Sequence, residues 1–146
     1  MAAKPLLLAL TLAAVAMTAS AGRDERLFFP IDDVYANDDL KLKIIPEVKL
    51  FFGKQEHPDP EQSYGTFTAN RKTNFLNKSD KEACQIAFVS AVVALQERAQ
   101  KEGGNAVVGI RNVYRKDNFV SETEYECGAG NVIGGVALQG EAVKLP

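Results

Sequence analysis

The stretch from Asp80 to Glu102 contains neither glycine nor proline, and signals that start and stop a helix stand at its two ends. Ser79 and Glu82 form an S-x-x-E capping box, whose side chains satisfy backbone N–H groups left unpaired by the first turn. Asp80 adds negative charge at the positive end of the dipole. Arg98 and Lys101 lie near the other end, Glu97 and Lys101 are spaced for an i,i+4 ion pair, and Gly103 suits the left-handed residue that ends many helices. The stretch therefore predicts one helix about 35 Å long. Cys84, Phe88, Val92, Leu95 and Ala99 make its apolar face, and Ala83, Ala87, Ala91 and Ala94 lie beside it as a strip of small residues that lets a helix approach a sheet closely. Core packing accounts for this face without a cofactor.

What surrounds the helix reads as β-structure. Val48 to Phe52 is a β-rich run stopped by Gly53, and Tyr64 to Thr68 alternates aromatic and β-branched residues. Between them, Pro58 and Pro60 force Glu56 to Glu61 into a loop. Asn105 to Tyr114 begins with the buried-strand run Ala106-Val107-Val108-Gly109-Ile110. Arg115 to Asn118 is a turn, Phe119 to Cys127 alternates again, and Val136 to Leu145 forms a last strand. Residues 22–46 are polar and interrupted, an irregular lead-in with at most one edge strand where Leu40, Leu42 and Ile44 alternate. Short links between the late strands favour antiparallel neighbours, so the expected fold is α+β, one long helix on an antiparallel or mixed sheet spanning residues 47–146.

The first 21 residues have the form of an export signal. Lys4 is the basic part, Leu6 to Val15 the apolar stretch, and Ala19-Ser20-Ala21 the small-x-small pattern that predicts cleavage after Ala21. The apolar segment is too short to span about 30 Å of hydrocarbon, and no cysteine near the cleavage point is available for lipidation. The expected location is periplasmic, with no membrane anchor after cleavage. The whole chain has a net charge of −2, which removal of Lys4 makes more negative. No electrostatic footprint for nucleic acid results. With 46 % hydrophobic residues, the chain can still build a core.

Two cysteines in an exported chain are expected to pair, because an oxidising compartment preserves the bond. Cys84 and Cys127 are the only ones. Their bridge would close a loop of about 44 residues, worth about 4 kcal/mol in the chain-entropy description. They lack the C-x-x-C spacing of a redox pair, so the expected role is structural.

Other candidate motifs are weaker. Gly128, Gly130, Gly134 and Gly135 precede a strand instead of opening a helix, and no G-x-x-x-x-G-K-[ST] occurs, so they read as a bend between strands and ATPase chemistry has no support. His57, Asp59 and Glu61, with Glu56 alongside, are the residues a divalent metal would use. With a single histidine in the chain, an exposed acidic loop is the simpler reading. No G-x-S-x-G elbow is present, and neither a cofactor nor a catalytic residue is expected.

The stretch Ala94-Leu95-Gln96-Glu97-Arg98-Ala99 through Gly103-Gly104-Asn105-Ala106-Val107-Val108-Gly109-Ile110, with the terminal Leu138-Gln139-Gly140-Glu141-Ala142-Val143-Lys144-Leu145, resembles the YbjQ and RcsF-like small α+β domains. In those, a helix ends in a Gly-x-Asn/Asp-Ala-Val-Val strand start and the last strand ends in Gly-x-Ala-Val. The likeness covers roughly residues 79–146. RcsF-like members are lipidated and carry two disulfides joining the helix region to the return strands, whereas this chain can form one bridge. The name excinuclease ATPase subunit, carried by some short exported relatives, does not fit a chain without a Walker loop, zinc cysteines or a basic groove. The resemblance implies an exported, non-enzymatic module acting in envelope homeostasis or stress response through an envelope protein partner or a homo-oligomer. The alternative it implies is a metal- or small-molecule-binding protein of the YbjQ type.

Overall fold

The computed structural model describes residues 22–146, so the expected signal lies outside the described residues. The chain order is β1 (Glu25–Pro30), α1 (Ile31–Tyr35), α2 (Asp38–Lys41), β2 (Lys49–Phe52), β3 (Gln62–Asn74), α3 (Asp80–Glu102), β4 (Ala106–Asn112), β5 (Glu124–Ala129) and β6 (Ile133–Lys144). The fold is α+β: one long helix lies on a mixed six-stranded sheet, in which β2 runs parallel to β4 and the other pairings are antiparallel. Strand β6 organises the sheet. It pairs along one edge with β3 and along the other with β5 at its start and β4 towards its end.

The helix has the expected bounds. The Ser79 hydroxyl accepts from the Glu82 N–H, and Gly103 ends α3 in the left-handed region at φ 94°. Replacing Ser79 by Ala should lower stability by about 1 kcal/mol, measurable as a shifted urea midpoint with an unchanged slope. The glycine after the cap is required by close approach: a Cβ on Gly104 would stand 2.7 Å from the Val143 carbonyl oxygen. Asn105 completes this junction by accepting from Leu145 N–H at 2.7 Å and donating to its carbonyl at 3.1 Å. The Gly-Gly-Asn motif thus joins the helix end to the last strand. The expected Glu97–Lys101 pair is not formed; the i,i+4 ion pair at this end is Arg98–Glu102 at 3.0 Å, and Arg98 also lies over the Phe67 ring at 4.2 Å.

Residues 22–46 depart most from expectation. They form part of the domain, not an irregular lead-in. Strand β1 pairs with β5 from Glu25↔Ala129 to Pro30↔Glu124. Leu40 to Ile44, expected as an edge strand, instead closes α2 and the turn after it, because Asn37 accepts from Leu40 N–H as an N-cap and starts a helix there. The segment is then tied to α3 by Gln96, whose amide is fully buried. Its oxygen accepts from Ile45 N–H at 2.9 Å, and its nitrogen donates to the carbonyls of Ile45 at 2.9 Å and Val48 at 2.8 Å.

The core lies between α3 and the sheet. Phe88 stacks on Tyr125 with centroids 4.2 Å apart, and Phe52 packs on Phe88 from the other side. Ala106, Val108, Val143 and Leu145 form a smaller cluster with Phe51. Strand β5 begins at Glu124, later than the expected Phe119. Phe119 makes only a single bridge to Asn112 and packs edge-to-face on Phe28 at 4.8 Å.

Candidate functional site

The expected cysteine pair is brought together. Cys84 in the first turns of α3 and Cys127 on β5 have sulfurs at bonding distance, with Cα atoms 5.8 Å apart and both side chains fully buried. The bridge crosses the core beside Phe88 and Tyr125, a structural position out of reach of solvent thiols. A disulfide so placed fits an oxidising compartment. No helix among the described residues is long and apolar enough to cross a membrane.

His57, Asp59 and Glu61 share the loop between β2 and β3. The His57 ring packs against Phe51 with its Nδ1 2.9 Å from the Pro58 carbonyl, and among the described residues no group of three or more His, Cys, Asp or Glu side chains is placed to hold a metal ion. Of the late glycines, expected to form a bend between strands, only Gly130 lies in the β5–β6 connection; Gly128 is in β5 and Gly134 and Gly135 are in β6, with Gly128 and Gly134 packed against Tyr114 and Phe75.

A buried carboxylate lies on the sheet face away from α3. Glu126 is 1 % exposed, and one of its oxygens accepts from Arg26 at 2.8 Å while the other has no partner. Arg26 also bonds Asp117, and Arg115 bonds Asp24 at 2.6 Å. These pairs strap the 113–123 loop over β1 and β5, so the cluster serves to hold that loop. On the helix side, burial and then the nearby Asp33 carboxylate push the Tyr125 phenol well above its ordinary range, keeping it neutral in the core.

An open groove is formed by β3 and α3. Strand β3 is 13 residues long and, among the described residues, pairs with β6 alone. Its opposite edge leaves a row of backbone N–H and C=O groups without strand partners. A groove of about 240 Å³ runs beside that edge, lined by Phe67, Thr68, Ala69 and Arg71 from the strand and by Ala94, Leu95 and Arg98 from the helix. It shares Arg71 and Ala94 with a larger groove of about 410 Å³ on the outer surface of α3, whose walls include Leu40, Ile86, Val89 and Val93 with Lys43 and Glu97. Ala94, the last residue of the small-residue strip, lines both grooves, where a larger side chain would close the gap, whereas Ala83, Ala87 and Ala91 are buried in the core.

The geometry suits an extended peptide. Strand addition supplies main-chain hydrogen bonds along a free edge, and a neighbouring groove takes alternate side chains. Sequence reasoning assigned the alanine strip to packing alone and ended the strand at Thr68, so it missed Phe67, Arg71 and Lys43 as site residues. The alternation Phe67, Ala69 against Thr66, Thr68 was the available signal for a longer strand, and it fades in the polar run Asn70-Arg71-Lys72. No family model, curated protein or solved structure matches this chain.

Proposed function

We propose that the protein is an exported, non-enzymatic interaction module of the cell envelope, of the YbjQ and RcsF-like type, that holds an extended segment of another protein against the free edge of β3. The observation that carries this reading is the long strand paired, among the described residues, on one side only, with a groove of mixed polar and apolar lining between its open edge and α3. The buried disulfide supports the exported location. The capping, the bridge and the Gln96 ties together supply a rigid platform, which is what strand addition needs in order not to lose affinity to ordering of the receptor.

Ala94 lines both grooves and is only half-buried, so Ala94→Trp fills them without entering the core. In a deletion strain challenged with detergent, copper or oxidant, the unaltered gene should restore resistance and the Ala94→Trp gene should not, at equal protein levels. Full restoration by Ala94→Trp, or no phenotype of the deletion under any of the three stresses, would count against the proposal.

A further inference from the structure

Resting on that reading, we infer that the segment held by β3 is acidic, carrying an Asp or Glu side chain that meets Arg71 and Lys43. The chain as a whole is net negative, yet the second half of β3 and the facing wall are not. Arg71 and Lys72 are consecutive and exposed on the edge strand, and Lys43 stands across the larger groove. The ion pairs among the described residues include none of these three cations. Among the described residues, the one hydrogen bond made by the Arg71 side chain is a long one, 3.4 Å, to the Asn70 carbonyl. Glu97 is the acidic member of the same wall, so the groove keeps an excess of positive charge beside an apolar floor of Ile86, Val89 and Val93. A carboxylate here would replace water around Arg71 with a charge-assisted pair.

The carboxylate belongs to a side chain and not to a chain end. The edge continues past Arg71 in both directions, from Thr66 to Asn74, so an added strand has no reason to stop there. A second copy of this chain is the poorer occupant. Self-pairing of β3 has only the regular stretch from Thr66 to Asn74 to use, since the register shifts between Ser63 and Thr66 where Gly65 has φ 99°, and it brings Arg71 and Lys72 of both copies into one short ladder without supplying a carboxylate to Arg71.

Three blocked nonapeptides test this: acetyl-Thr-Val-Thr-Val-Asp-Val-Thr-Val-Thr-amide and its counterparts with Asn or Lys in the central position, titrated into the full mature protein. The Asp peptide should bind at least tenfold more tightly than the Asn peptide, and the Lys peptide more weakly than both. In the Arg71→Ala/Lys43→Ala protein, which changes exposed side chains only, the Asp peptide should fall to the Asn level. Equal binding of all three peptides would overturn the acidic preference and leave strand capture standing. Binding of none would overturn both. Self-association of the protein competing with the peptides would assign the edge to a second copy and overturn the inference as well.

Discussion

Removing the bridge with Cys84→Ala and Cys127→Ala together should cost about 3 to 4 kcal/mol and lower the melting temperature by roughly 10 to 20 °C. The loss comes from restoring freedom to the unfolded chain, since 43 residues separate the cysteines. Each serine variant should lose at least as much as the double alanine variant, because a hydroxyl placed at a fully buried position without a partner adds its own desolvation cost of about 1 to 3 kcal/mol. The two single alanine variants should match each other closely, as each removes the same crosslink. In the native state neither sulfur should react with a thiol reagent, and reductant should act only as the protein unfolds. Melting that is insensitive to reductant would show that the bridge carries no stability.

Gln96→Leu should destabilise by about 3 kcal/mol or more, although leucine is apolar, helix-favouring and close in volume. The change leaves Ile45 N–H and the carbonyls of Ile45 and Val48 without their partners, in a place where water does not replace them. Gln96→Glu keeps the acceptor for Ile45 N–H and turns the donor side into a carboxylate facing two carbonyls, so it should be no better. The effect should be local before it is global. Hydrogen exchange should quicken first between residues 36 and 52, while the centre of α3 keeps its protection until unfolding. Uniform loss of protection along the chain would show that the segment is not held through Gln96.

What could be read in the sequence follows from how local each determinant is. The bounds of α3 are written in adjacent residues, Ser79 with Glu82 at one end and Gly103 at the other, and they were legible without the rest of the chain. The pairing of Cys84 with Cys127 followed from redox compartment and count. Strand β1 was hidden because Leu27, Phe28 and Phe29 look like one apolar run. Only pairing with β5, about a hundred residues away, shows that Leu27 and Phe29 face the core while Arg26 and Phe28 face the 113–123 loop. At Leu40 to Ile44 a two-residue period over so few positions also fits a helical turn, and the Asn37 cap decides between them. The groove was the least legible feature. It exists because β3 has a partner on one side only among the described residues, and strand neighbours are set by the packing of the whole chain, whereas Ala94 taken alone reads as part of the packing strip and Arg71 as an ordinary surface residue.

The most direct measurement is residue-resolved amide hydrogen exchange along β3 in the isotope-labelled protein, alone and saturated with the Asp peptide. In an antiparallel edge strand alternate N–H groups point to the partner and to solvent. The free protein should therefore show every second amide between Thr66 and Thr73 protected by β6 and the intervening ones exchanging quickly. Peptide should slow the quick set and shift the resonances of Phe67, Arg71 and Ala94. Peptide bound with the quick set unchanged, or with new protection along β1 or β2 instead, would contradict strand capture at β3.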